Sequence, residues 1–275
     1  MANSIIYGPV SSWRLGRSLG IDLLSTTRKT CSFNCVYCQL GETTDLVTEP
    51  REFISLEQLA KEVQQVKQIE ADYATFSGMG EPTLASNLSE AIAMIKSALG
   101  LPVAVLTNSS LMFRKDIRQR LAHADVVVAK LDVPNEELFA TVNRPSSNLH
   151  FDQTVDGLRR FRDEYRGKLA LQMMFLEANK LYASEMATIA HDISPDEVQI
   201  NTPLRPCSVK PLPPDDIADI RDVIESSISD GVTSKPDSSL PLETGFKNVV
   251  TVYEAPRHEV MPLDLTETLR RRPEL

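Results

Sequence analysis

No stretch of this sequence approaches the roughly 18 uninterrupted apolar residues that a membrane-crossing helix needs, so no span is expected. The first residues, Met1 to Pro9, lack a basic segment followed by a long apolar run, which argues against a secretory leader. A soluble, cytoplasmic protein is the expectation. Cysteine is scarce: there are four in 275 residues, three of them within eight positions. The disulfide framework of a secreted domain would be denser and more even, so this grouping points to a metal site. Excess positive charge is missing too. A net charge of −9 gives no general pull towards nucleic acid. That charge is uneven, because residues 211–245 carry −6 and leave only −3 for the rest. Basic residues gather just ahead of the cysteines, at Arg14, Arg17, Arg28 and Lys29. There is no internal repeat and no extended low-complexity tract.

What is present is an alternation of short β-branched runs with amphipathic stretches of helical length. Strands are expected near Leu19–Leu24, Tyr73–Phe76, Val103–Thr107, Val126–Leu131, Leu169–Phe175 and Val198–Asn201. Helices are expected near Leu56–Ile69, Asn87–Leu99, Lys115–His123, Asn135–Thr141, Asp152–Tyr165 and Ala183–Asp192. In the first helix Leu56, Leu59, Ala60, Val63 and Val66 form one apolar face, and Ser55 with Gln58 reads as a capping box. Strand–helix alternation implies right-handed crossovers and a parallel sheet. Six units are fewer than the eight of a closed barrel, so the spacing predicts an open, partial (β/α)6 barrel of TIM-like type. Residues 1–210 form the barrel, with a leader at 1–18. Residues 211–275 form a helical and irregular C-terminal extension over part of the open rim, with a helix near Asp215–Ile228, a late strand near Val249–Tyr253 and a short helix at Leu265–Arg271.

The string Cys31-Ser32-Phe33-Asn34-Cys35-Val36-Tyr37-Cys38 lies in the loop after the first expected strand. Parallel α/β folds place their active sites in such loops. Thiolates are the usual ligands of iron–sulfur clusters, and three of them leave one iron of a four-iron cluster open. Zinc would want a fourth ligand, and His123, His150, His191 and His258 are all distant in sequence. A zinc site and three inert structural cysteines remain the alternatives. A second string, Ser77-Gly78-Met79-Gly80-Glu81-Pro82-Thr83, follows the second strand, where glycines permit close backbone approach and Glu81 offers an anionic acceptor. Taken alone it reads as an ordinary turn. Thr107-Asn108-Ser109-Ser110 and Lys130-Leu131-Asp132 end the next two strands and offer hydrogen-bonding groups, or simple capping. Arg205, in the loop after the sixth strand, suits bidentate recognition of a carboxylate, with a plain surface arginine as the alternative. The lone Cys207 reads as a small core residue.

Together these strings resemble the radical S-adenosylmethionine (SAM) superfamily, whose hallmark is CxxxCxxC with an aromatic residue, here Tyr37, before the last cysteine. The resemblance implies a [4Fe–4S] cluster on Cys31, Cys35 and Cys38, and SAM on its open iron. It implies that Gly78, Gly80 and Glu81 cradle the SAM amino end, and that Tyr37, Asn108, Asp132 and Arg205 border the cofactor. The N-terminal Tyr7–Gly20 segment, Cys31–Gly41, Gly78–Leu84 and Asn143-Arg144-Pro145 further resemble a group related to the wyosine-type tRNA synthases. Those synthases carry additional N-terminal cysteines, and this chain has none before Cys31. The implied activity is reductive cleavage of SAM to a 5′-deoxyadenosyl radical, fed by a one-electron donor such as flavodoxin or ferredoxin. A tRNA base is one substrate class, with Arg14 and Arg17 as candidate phosphate contacts. A small metabolite or peptide is another, and a non-catalytic iron–sulfur electron carrier or sensor is the reading from a different class.

Overall fold

The computed structural model describes residues 4–230, 248–256 and 258–273. Lys235, Asp237 and Glu243 of the acidic segment lie outside the described residues. One sheet of eight strands organises the chain, in the order β1 to β8. The strands are β1 (Ile6–Ser12), β2 (Gly16–Ile21), β3 (Tyr73–Phe76), β4 (Val103–Thr107), β5 (Val126–Lys130), β6 (Lys168–Met174), β7 (Glu197–Asn201) and β8 (Val249–Thr251). From β2 onwards every neighbour is parallel, whereas β1 and β2 form an antiparallel hairpin. The six expected parallel strands are thus β2 to β7. The leader supplies β1 at one edge, and the late strand, β8, pairs with β7 at the other.

The crossovers carry α1 (Leu56–Val63), α2 (Leu88–Leu99), α3 (Lys115–Leu121), a short α4 (Glu136–Leu138), α5 (Phe151–Glu164), α6 (Ala183–Ile193) and α7 (Pro214–Asp230), and α8 (Leu265–Arg271) follows β8. Strand alternation sorts side chains between two faces. Leu19, Phe76, Val105, Val127, Leu171 and Ile200 join the large core under the helices. The opposite, concave face holds a smaller cluster of Ala104, Val126, Val128 and Ala170, closed off by Leu15 from the β1–β2 turn.

Boundaries shift where local chemistry overrides the pattern. The capping box at Ser55 and Gln58 forms, but α1 stops at Val63 rather than Ile69. Beyond it the apolar spacing tightens to three residues, Val63, Val66 and Ile69, and the backbone turns follow, with Val66 and Ile69 each bonding the carbonyl three residues back. Strand β2 ends at Ile21 rather than Leu24 because the Asp22 carboxylate accepts from the backbone N–H groups of Leu24 and Ser25, drawing the chain into a turn. The helix expected at Asn135–Thr141 starts on the Asn135 side-chain cap and widens after Leu138 into a π-turn over Phe139–Asn143.

Candidate functional site

At the C-terminal ends of β3 to β6 the structure brings Cys31, Cys35 and Cys38 around one cavity of about 150 Å³. Tyr37, Gly80, Glu81 and Asn108 line it as well, together with Lys29, Lys130 and Gln172. Gly78, Asp132 and Arg205 are not part of the lining. All four cysteines are free thiols, and Cys207 packs against the core edge with its thiol towards the Val209 carbonyl.

The cysteine loop is pinned from two sides. Thr30 N–H donates to the Met79 carbonyl and Glu81 N–H to the Thr30 carbonyl, tying the loop to the glycine turn. Opposite, the N–H groups of Asn34 and Val36 donate to carbonyls of the π-turn, and Phe33 meets Phe139 edge-on at 5.2 Å. Asn143, at the end of that turn, sends its side-chain amide towards Cys35 Sγ at 3.7 Å and to Asp132 at 2.9 Å. The Asn108 amide approaches Cys31 Sγ at 3.5 Å.

Two glycines fix the shape of the second string. Gly78 and Gly80 have φ of +142° and +156°, and a Cβ on Gly80 would stand 1.6 Å from the Thr30 carbonyl oxygen. Any side chain there would separate the two loops. Glu81, 2% exposed, receives Thr83 N–H, Thr83 Oγ1 and Thr107 Oγ1 on one oxygen and Asn108 N–H on the other. Burial pushes its carboxyl above the ordinary range against the pull of those four donors. A cationic partner in the cavity would favour the ionised form.

Asp132, expected to border the cofactor, is occupied by the protein's own groups. Tyr37 Oη and Asn143 donate to one oxygen, Met174 N–H donates to the other, and Lys130 stands 3.7 Å away. The same Lys130 ammonium sits 4.2 Å above the Tyr37 ring. Asp132 therefore holds Tyr37 and the loop rather than presenting itself to the cavity.

Two participants were not legible in the sequence. Asp22, 1% exposed, accepts from Met79 N–H and from Arg271 Nε at 2.8 Å. Arg271 is equally buried, stacks over the Tyr7 ring, and its carbonyl accepts from Gln39 just after Cys38. The last helix thus holds both the glycine turn and the cysteine loop. Arg17 takes no part: its guanidinium pairs with Glu70 at 2.7 Å and Asp72 at 3.0 Å.

The fit of these residues to an iron–sulfur cluster can be judged from the donor set. Among the described residues no three cysteine, histidine or carboxylate side chains converge on a point that would hold a single metal ion. A cluster makes a different demand, because each thiolate binds its own iron. Three thiols around one cavity, with amide N–H groups directed at two sulfurs and the cations Lys29 and Lys130 alongside, meet that demand. Burial pushes the Cys31 thiol up to about 12 and raises Cys35, while Lys29 and Lys130 pull them back.

Comparison with known proteins agrees with this reading of the fold. The Radical SAM superfamily model matches residues 26–180. A UPF0026 protein of Methanocaldococcus jannaschii is 38% identical over 229 residues, covering 80% of this chain and 70% of that protein. The structure of Streptococcus suis SuiB bound to S-adenosylmethionine superposes with a TM-score of 0.58 at 17% identity, over 82% of this chain but only 48% of SuiB. Archaeal TYW1 superposes with a TM-score of 0.56 at 11% identity, over 77% of this chain and 72% of TYW1. On the family match and the UPF0026 relative, this chain belongs to the radical SAM superfamily of enzymes.

Proposed function

We propose that Cys31, Cys35 and Cys38 each ligate one iron of a [4Fe–4S] cluster, and that the enzyme binds SAM beside it and cleaves it reductively. When bound, the cluster supplies the electron that splits the SAM sulfonium to methionine and a 5′-deoxyadenosyl radical. The observation that carries the reading is the single cavity shared by three free thiols, Gly80 and Glu81. The protein's own contribution is placement. Asn143 and Asn108 direct N–H groups at the sulfurs, which steadies thiolate charge. Glu81 is held rigid by its four donors and accepts the SAM ammonium, while Gly78 and Gly80 let the backbone approach it. Tyr37 and Asn108 border the cofactor, and Arg205, in the loop after β7 and outside the cavity lining, is assigned to it on the family resemblance alone. Asp132 acts by fixing Tyr37. A one-electron donor such as flavodoxin or ferredoxin is required from outside the chain.

The test is spectroscopic. In protein reconstituted with iron and sulfide without oxygen, then reduced, SAM should change the electron paramagnetic resonance signal of the cluster. Glu81→Gln should keep the cluster and need more SAM for the same change. A signal indifferent to SAM would mean that no iron is open, and would favour an electron carrier.

A further inference from the structure

The N-terminal hairpin reaches into the barrel. Leu15 belongs to the same small apolar cluster as Val128, against which Leu106 packs, and Val128 and Leu106 also form part of the wall of the cysteine cavity. The hairpin tip therefore adjoins the apolar wall of that cavity. Its preceding residue, Arg14, keeps Nε and Nη1 buried with no hydrogen-bond partner, and its guanidinium lies 5.0 Å from the Trp13 ring. Among the described residues no carboxylate pairs with it. Instead, burial and the like charges of Arg272 and Arg205 hold its pKa below the ordinary value. Arg272 is anchored nearby through the Ser11 carbonyl at 3.2 Å.

A second, independent observation lies on the inner face of the sheet. Gln172 and Gln199 are directly paired across β6 and β7. Gln172, 7% exposed, lines the cysteine cavity and leaves Nε2 unpartnered; Gln199, 2% exposed, leaves Oε1 unpartnered. The Gln199 amide is oriented by its own donation to Glu197, whose charge is taken by Lys168 at 2.9 Å. Two buried guanidinium nitrogens and two buried amide atoms without partners each cost free energy unless something binds them.

We infer that the lumen beneath the cysteine loop is the second-substrate site, and that it takes a small molecule with a carboxylate or phosphate on Arg14 and a polar edge on Gln172 and Gln199. The inference rests on the radical SAM reading for the chemistry but not for the binding. The restricted cavity, the overall negative charge and the pairing of Arg17 with Glu70 and Asp72 all favour a small anion over a nucleic acid.

Malonate and inorganic phosphate are suitable probes, compared with chloride at matched ionic strength, using full-length protein with and without the reconstituted cluster. They should raise the melting temperature of the wild type, and Arg14→Met should weaken their apparent affinity at least tenfold. Without ligand, Arg14→Met should melt no lower than the wild type, because it removes two enclosed nitrogens that have no partner; this separates lost binding from lost folding. Arg17→Met should keep the anion response. Malonate and SAM should bind together. An anion response kept by Arg14→Met, or absent from the wild type, would overturn the inference. So would mutual exclusion of malonate and SAM, which would give Arg14 to the cofactor, or salt-sensitive tRNA binding that depends on Arg14 in place of the small-anion response. Failure of the wild type to cleave SAM, with the anion response intact, would remove the radical reading alone and leave the site standing.

Discussion

At the rim of the barrel Glu81 receives four donors, Asp132 receives three, and Asp22 is met by three backbone N–H groups and Arg271. By contrast, Arg14 at the hairpin tip and Gln172 and Gln199 on the inner face of the sheet each keep buried polar atoms with no partner. Both regions are polar and enclosed, so burial alone does not explain the difference. The three rim carboxylates are finished by the protein's own groups, which suits a site that must hold one cofactor in one geometry. The lumen is left incomplete, at about 1–3 kcal/mol for each unsatisfied group, which suits a site completed by its ligand. Substitutions in the two regions should therefore have opposite signatures.

The largest effect is expected at the rim. Replacing Cys31, Cys35 and Cys38 together by alanine should abolish iron–sulfur absorption after reconstitution, while circular dichroism keeps the fold. Next comes Arg271→Met, which strands the Asp22 carboxylate in the interior. Breaking a buried pair of this kind costs about 3–5 kcal/mol, measurable as a lower urea midpoint with unchanged slope. An unaltered midpoint would show that Asp22 is held sufficiently by backbone donors. Glu81→Gln removes one charge-assisted bond to the SAM ammonium, so SAM affinity should fall by roughly tenfold to a hundredfold in a titration. Smaller still, Thr107→Val deletes one donor to Glu81 and should lower stability by about 1 kcal/mol in the same urea assay. In the lumen the sign reverses: Arg14→Met should leave the ligand-free protein as stable as the wild type, or more stable. Destabilisation by Arg14→Met would erase the contrast.

Much of the fold is legible because its signals are local. Leu56, Leu59, Ala60 and Val63 define α1 by spacing alone, and the parallel strands β3 to β7 fall on short runs of β-branched and other apolar residues. The N-terminal hairpin escapes this logic. Tyr7-Gly8-Pro9-Val10-Ser11-Ser12 shows no alternation and carries turn formers, yet it forms β1 because β2 offers it an edge. The same split runs through the site. The cysteines and Glu81 stand in strings whose spacing carries chemistry. Asp22 and Arg271 lie 249 positions apart and signal nothing until the last helix docks. Gln172 reads as one residue inside a strand, and only the sheet register places it beside Gln199 and facing the cavity. Arg14 and Arg17 look equivalent in sequence, but Arg17 is neutralised by Glu70 and Asp72, whereas Arg14, half-buried, keeps two enclosed nitrogens without a partner.

The central claim is that the finished rim exists to cleave SAM, and one assay addresses it most directly. Protein reconstituted without oxygen and reduced in the presence of SAM should release 5′-deoxyadenosine and methionine, with none above background from the triple-cysteine variant. A wild-type protein with a fully formed, reducible cluster that binds SAM yet releases neither product would contradict the account.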